Sequence, residues 1–265
     1  MTAPSGSHST GGVDPGSVQV RLAEGVATIT FGHPRSNSLP GALLSRLAEA
    51  VTAAGRSVEV QVIVLRTEGS GPFCAGASFD ELAAVSDAAS GLRFFSGFAS
   101  VILAMIRAPK FVVTRVHGKA VGGGVGLVAA SDYALASEQA AVRLSELAIG
   151  IGPFVVGPVI ERKIGSGAFG ALAVSAEWRD ARWAQAHGLY TEVHDTVVGL
   201  DQAVETRAQR LSGYSPAAMA RLKQVLWEGT ESWERLLLER AALSGSLVLT
   251  DPARRAIQEA IGKRP

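Results

Sequence analysis

The sequence predicts an α/β fold whose C-terminal part is mainly helical, and three observations support that class. Two strand-like apolar stretches, residues 60–66 and 111–116, each lead into a turn of small residues and then into a helical pattern. Residues 60–65 are almost unbroken in apolar character, as in a strand covered on both faces. From residue 155 onward apolar residues recur at helical spacing instead, which separates the end of the chain from its beginning.

Residues 1–16, MTAPSGSHSTGGVDPG, offer almost nothing to bury and are expected to form a disordered tail. They lack the basic start and apolar run of a secretory signal. Val18, Val20 and Leu22 alternate with polar residues, Glu24-Gly25 offers a turn, and Val26, Thr28 and Thr30 continue in extended form, which predicts a hairpin. Pro34 fixes an exit from the sheet. Pro40 opens a helix carrying Leu43, Leu44, Leu47 and Val51 at helical spacing. The strand at 60–66 is followed by the turn Phe73, Cys74, Ala75, Gly76, Ala77 and by a helix near 79–85.

Residues 91–106 place Leu92, Phe95, Phe98, Val101, Ile102 and Met105 at helical intervals, and Pro109 follows their end. They read as core packing, with the lining of a substrate tunnel as the competing reading. The strand at 111–116 runs toward Gly122, Gly123 and Gly124, and 133–136 and 141–143 read as further short strands. Helices are then predicted at 157–164, 167–175, 180–187, 200–211, 216–227, 233–249 and 252–262, with glycines 165, 188 and 213 as C-caps.

The 265 residues suffice for one large domain with a substantial core. A hydrophobic share of 47% and a net charge of +1 give neither a basic face for nucleic acid nor an acidic tail. The single cysteine, Cys74, excludes an intrachain disulfide and a cysteine-based zinc cluster. It fits a reducing compartment, and a cytoplasmic location is the expectation. In a small-residue turn it reads as a packing group rather than a nucleophile. No segment reaches the apolar length that spans a bilayer, so no membrane partner is expected. His117, His187 and His194 show no metal-binding spacing and read as structural, so no metal is expected.

The chemistry concentrates in residues 117–146, HGKAVGGGVGLVAASDYALASEQAAVRLSE. Glycine at a strand-to-helix junction lets the backbone approach a ligand, and the first N–H groups of the helix lack intrahelical partners. Such donors suit an oxygen that carries negative charge. Alone, the turn reads equally as tight strand–helix packing. The turn at 73–77 is of the same kind, and two such turns can converge two donors on one carbonyl oxygen, an oxyanion hole in outline.

PFCAGASFDEL, VHGKAVGGGVGL and LSELAIGIGP resemble the three signature segments of the enoyl-CoA hydratase/isomerase (crotonase) family. PRSNSL and the closing GKRP resemble that family's N-terminal segment and basic C-terminus, so the resemblance extends from about Val18 to Pro265. It implies a crotonase-like spiral of β-β-α units over 17–197 and a C-terminal helical trimerisation region over 198–265. A homotrimer or dimer of trimers acting on an acyl-CoA thioester is implied as well. Coenzyme A would be part of the substrate, with no separate cofactor.

Matched motif to motif, the family's two oxyanion N–H groups fall on Ala77 and Gly123. Its hydratases commonly carry two glutamates, one three residues after the second oxyanion glycine and one twenty residues later; these places hold Gly126 and Glu146. Hydration needs a group to orient and deprotonate water besides the one that delivers a proton to carbon. Moving a double bond needs one base that takes a proton from C2 and returns it at C4. The lone Glu146 therefore predicts conversion of a 3-enoyl-CoA to a 2-enoyl-CoA, with an enoyl-CoA hydratase and a non-catalytic acyl-CoA-binding paralogue as alternatives. Dienoyl isomerases and hydrolytic dehalogenases of the family place another carboxylate eight positions further on, where this chain has Phe154, so nucleophilic dehalogenation is not expected. Arg35, Asn37, Ala75 and Lys263 match places where family members meet CoA, though Arg35 and Lys263 read equally as solvated charges. Ser78 and the helix at 91–106 are expected to shape the acyl pocket.

Overall fold

The structure is a computed structural model and describes residues 16–262. The tail expected at 1–16, apart from Gly16, and Lys263 lie outside the described residues. β1 (Ser17–Ala23) and β2 (Val26–Gly32) form the hairpin, with Glu24 and Gly25 at φ 49° and 76° in the turn. Two consecutive left-handed residues match the twist of the flanking strands. The alternation in β1 marks a strand but not a buried one. It is an edge, with Val20 54% and Leu22 44% exposed, and burial falls instead on Ala27, Ile29 and Phe31 of β2.

β3 (Val62–Thr67), β4 (Phe111–Val116), β6 (Tyr133–Ser137) and β9 (Glu192–His194) join β2 in parallel, giving the sheet order β1-β2-β3-β4-β6-β9. Ile63, Leu65, Val112 and Val116 enter the main core on one face. Val62, Val64, Val113 and Leu135 pack on the other against Leu200, Val204 and Ala208 of α7 (Val197–Ser212). This two-sided burial is why the run at 60–65 carries so little polar character. A second, small sheet joins β5 (Ala120–Val121), β7 (Ala141–Arg143) and β8 (Arg179–Asp180). β5, β8 and β9 were not expected. The two residues of β5 and of β8 leave no room to display a period.

The remaining helices are α1 (Gly41–Arg56), α2 (Phe79–Ala84), α3 (Ala88–Arg107), α4 (Gly123–Ala130), α5 (Gly157–Ser175), α6 (Ala181–Ala186), α8 (Pro216–Leu226), α9 (Trp233–Leu247) and α10 (Asp251–Gly262). α3 begins before residue 91 because Asp87 and Ser90 form a capping box, Ser90 N donating to Asp87 Oδ1 at 2.7 Å. Its buried residues include Phe94, whereas Leu92 is exposed. By length and composition α3 is apolar enough to cross a membrane, contrary to the sequence expectation. It is instead packed between α1 and α9, as a core helix is.

Gly165, at φ 78° and ψ 157°, breaks α5 where the sequence placed a helix end, and Gly188 is left-handed after α6. Gly213 is not: it ends α7 at φ −83°. α9 and α10 fold back onto the core, α9 along α3 and α10 against α2 and the short 3-10 turn Leu147–Ile149. Trp233, Leu237, Ala241, Val248, Ala253 and Ile257 join the same hydrophobic cluster as the strands.

Candidate active site

The turns at 73–77 and 120–124 lie side by side. Cys74 N donates to Lys119 O at 3.1 Å and Val121 N to Cys74 O at 2.9 Å, a parallel bridge that holds both loops together. The contact is too close for larger residues. A Cβ on Gly124 would lie 2.7 Å from Cys74 Cβ, and one on Gly76, at φ 86°, would lie 2.9 Å from Val121 O and 3.9 Å from Gly123 N. Leu39 N donates to Gly76 O and Ser78 N to Leu39 O, so Leu39 occupies the bonding side of the peptides flanking Ala77. The Ala77 N–H points the other way, as alternate peptides do in a parallel ladder. Gly123 opens α4, where an N–H has no intrahelical acceptor.

Ala77 and Gly123 both line a cavity with Glu146, and Phe79, Leu82, Phe95, Phe98, Val155 and Val156 supply apolar walls. About 520 Å³ of space lies within it, mouth included. The Glu146 backbone is fixed by Ile149 N and Ile151 N, which donate to its carbonyl at 3.1 and 3.0 Å. Its Oε1 lies against Gly122, where a Cβ would come within 2.7 Å, and its Oε2 is buried with no hydrogen-bond partner among the described residues. Burial pushes this carboxyl up to about 7, opposed by the backbone N–H groups of Glu146 and Ser145. A group poised there takes and returns protons at neutral pH.

The structure assembles Ala77, Gly123, Glu146 and Ala75 around one cavity and places Arg35 and Asn37 away from its lining. At Gly126 a Cβ would meet Val156 Cγ1 at 2.5 Å, so the place of the missing glutamate is filled by a neighbour. Phe154 packs over Gly152. Ser78 does not line the acyl cavity as expected: it is buried as the N-cap of α2, accepting from Glu81 N. Its neighbours Phe79 and Leu82 line the cavity instead, as do Phe95 and Phe98 of α3, which therefore serve both packing and lining.

Arg35 is exposed and paired with Asp80 at 2.7 Å. Asn37 is buried in its turn, donating to Glu68 O and Pro72 O and accepting from His33 N, so its amide is spent within the protein. Its φ of 54° suits asparagine better than most residues. Ala75 N donates to Ser36 O. Cys74 is buried, and burial pushes its thiol up to about 12, which leaves it a packing group. His117 is buried and held down to about 4, chiefly by burial. His187 stacks on Trp183 with ring centroids 4.2 Å apart, and His194 meets Glu192 at 3.1 Å. Two cavity hydroxyls escaped the sequence reading, Ser145 beside Glu146 and Ser244 from α9. Position next to Glu146 was a signal for the first; nothing in the sequence joins residue 244 to the site.

The enoyl-CoA hydratase/isomerase family model matches residues 21–250, and the chain belongs to that family. An enoyl-CoA hydratase from Bacillus halodurans superimposes with a TM-score of 0.85 over 91% of this chain and 99% of that one; at 21% identity, this shows the shared crotonase fold. The 2,3-dehydroadipyl-CoA hydratase of Escherichia coli (strain K12) is 28% identical over 90% of this chain and 93% of its own. A methyl-dioxo-hexahydroindene-carboxyl-CoA hydrolase of Rhodococcus jostii is 36% identical, but the match spans only about half of each protein, 47% of this chain and 48% of the hydrolase.

Proposed function

We propose that this protein shifts a double bond, converting a 3-enoyl-CoA to a 2-enoyl-CoA. The supporting observation is a single carboxyl, Glu146, lining an apolar cavity beside the N–H groups of Ala77 and Gly123, which have no backbone acceptor among the described residues, with the other carboxylate's place filled by Val156. The thioester carbonyl oxygen accepts from the N–H groups of Ala77 and Gly123. Glu146 removes a proton from C2, and negative charge moves onto that oxygen. Two preorganised donors stabilise the enolate, since loss of one such donor costs about 3 to 4 kcal/mol in comparable sites. The protonated Glu146 then delivers its proton to C4, which leaves the double bond between C2 and C3 in conjugation with the thioester. No group beyond the substrate's own CoA is required.

The hydratase reading is favoured by the Escherichia coli relative, a named hydratase that aligns over nearly its whole length. In that reading Ser145 is the hydroxyl nearest in sequence to Glu146 for holding water. Incubation with a trans-3-enoyl-CoA, then with a trans-2-enoyl-CoA, separates the two. New absorbance of the conjugated thioester at unchanged mass establishes isomerisation. Loss of that absorbance with gain of one water establishes hydration. A protein that does neither with a panel of chain lengths overturns both. A homotrimer or dimer of trimers is part of the same proposal, supported by exposed Leu222, Val225, Leu226 and Leu238 on α8 and α9, and light scattering tests it.

A further inference from the structure

The α3–α9 crossing brings to the cavity wall a serine, Ser244, that the proton transfer does not use. The two helices touch through glycines: a Cβ on Gly91 would lie 2.7 Å from Gly245 Cα, and one on Gly245 would lie 2.7 Å from the Gly91 carbonyl carbon. So close an approach brings the residue before Gly245 to the wall that α3 presents. Phe95 and Phe98 follow Gly91 by four and seven positions, on the same helix face. Ser244 is 1% exposed and lines the cavity with these rings.

A serine in a helix normally satisfies its hydroxyl on the preceding turn. Ser246, two residues on, does so by donating to Leu243 O at 2.8 Å. Ser244 Oγ makes no such bond to the preceding turn, and the cavity it lines is walled mainly by aromatic and aliphatic side chains. A buried hydroxyl in apolar surroundings is unfavourable unless a hydrogen bond completes it. Glycine is also a poor helix residue, so the Gly91–Gly245 contact is retained at a cost to both helices.

We propose that Ser244 determines acyl specificity: its hydroxyl donates to an oxygen carried on the acyl chain, so that the cavity selects an oxygenated acyl group over a plain alkyl one. This rests on the acyl-CoA reading of the site but not on which reaction Glu146 performs. A polar group placed in an apolar pocket discriminates strongly, because a ligand lacking the complementary atom leaves it unpaired.

The test is calorimetric binding of hexanoyl-CoA, 4-oxohexanoyl-CoA and 5-oxohexanoyl-CoA to the wild type and to Ser244→Ala. These acyl chains carry no carbon–carbon double bond, so binding is read apart from isomerisation or hydration. At least one oxo ligand is expected to bind the wild type about fivefold more tightly than hexanoyl-CoA, the factor of one neutral hydrogen bond. Ser244→Ala is expected to erase that preference while holding hexanoyl-CoA as before, which also reports an intact fold. A preference that survives in Ser244→Ala, equal weakening of all three ligands, or no preference in the wild type overturns the proposal. Failure of the wild type to bind any of the three overturns the acyl-CoA reading itself.

Discussion

Asp132 and Glu146 are carboxyls of one interior, yet their surroundings differ in kind. Asp132 accepts from Val112 N at 2.7 Å, Trp227 Nε1 at 3.0 Å and Lys223 Nζ at 2.8 Å, and Lys223 in turn donates to Met105 O and Lys110 O. Both side chains of that ion pair are nearly inaccessible, 5% and 2% exposed. Burial pulls the Lys223 ammonium down, and Asp132 opposes it. The pair fastens α8 to β4 and to the end of α3. Glu146 has no countercharge, and its Oε2 has no partner among the described residues. A buried carboxyl with a countercharge and a donor on each oxygen holds a fold together. One left incomplete is unfavourable for the fold and is what a proton-transfer site requires.

The largest effect that tests this contrast is kinetic. Glu146→Gln keeps the shape and removes the acid/base, so turnover of the CoA thioester is expected to fall about 10²- to 10⁴-fold. A rate within twofold of wild type would show that the unpaired carboxyl is not the proton carrier. The mirror experiment is thermodynamic: Asp132→Ala leaves the Lys223 ammonium buried without its countercharge. A loss of about 3 to 5 kcal/mol in urea unfolding is expected. A loss under about 1 kcal/mol would erase the distinction between the two carboxyls.

Next comes the pH dependence of Glu146. Its carboxyl is raised from 4.5 to about 7 in the fold, so the native state binds more protons than the unfolded one between those values. Its contribution is fully present below about 4.5 and is lost as pH rises through about 7. Above that pH the ionised form costs at most about 3 kcal/mol, less where the cavity mouth admits water. Glu146→Gln is therefore expected to raise the melting temperature at pH 8 by several degrees and to leave it unchanged at pH 4. In the wild type, kcat/KM for proton abstraction is expected to rise with pH through a midpoint near 7. A midpoint near 4.5 would mean that Glu146 is solvated after all.

Much of this was legible before the structure, for identifiable reasons. The strands at 62–67 and 111–116 are covered on both faces, which writes continuous apolar runs into the sequence. Gly76 and Gly122 have positive φ and sit against Val121 O and Glu146 Oε1, so their glycines mark the site directly. Asn37 stood among the CoA contacts because a side chain that bonds within its own turn and one that meets a ligand look alike in sequence. Ser244 was invisible because it reaches the cavity through a helix crossing, and a crossing has no local pattern. Ser78 marked a helix start rather than a pocket wall, as serine at an N-cap commonly does.

The smallest expected effect concerns the place where no carboxylate stands. Gly126 lies within α4, and alanine there would gain about 0.5 to 1 kcal/mol in helix propensity. Its Cβ would fall 2.5 Å from Val156 Cγ1 and 2.9 Å from Val156 Cβ, an overlap that core overpacking data price at about 1 to 3 kcal/mol. The overlap wins, so Gly126→Ala is expected to lose about 1 kcal/mol in thermal or urea unfolding. Adding Val156→Ala removes the obstructing methyls, and the double variant is expected to lose less than the sum of the two single changes, because the residues share one space. Additive losses would show that Val156 yields easily. The site would then have room for a second carboxylate, and packing would no longer account for Glu146 standing alone.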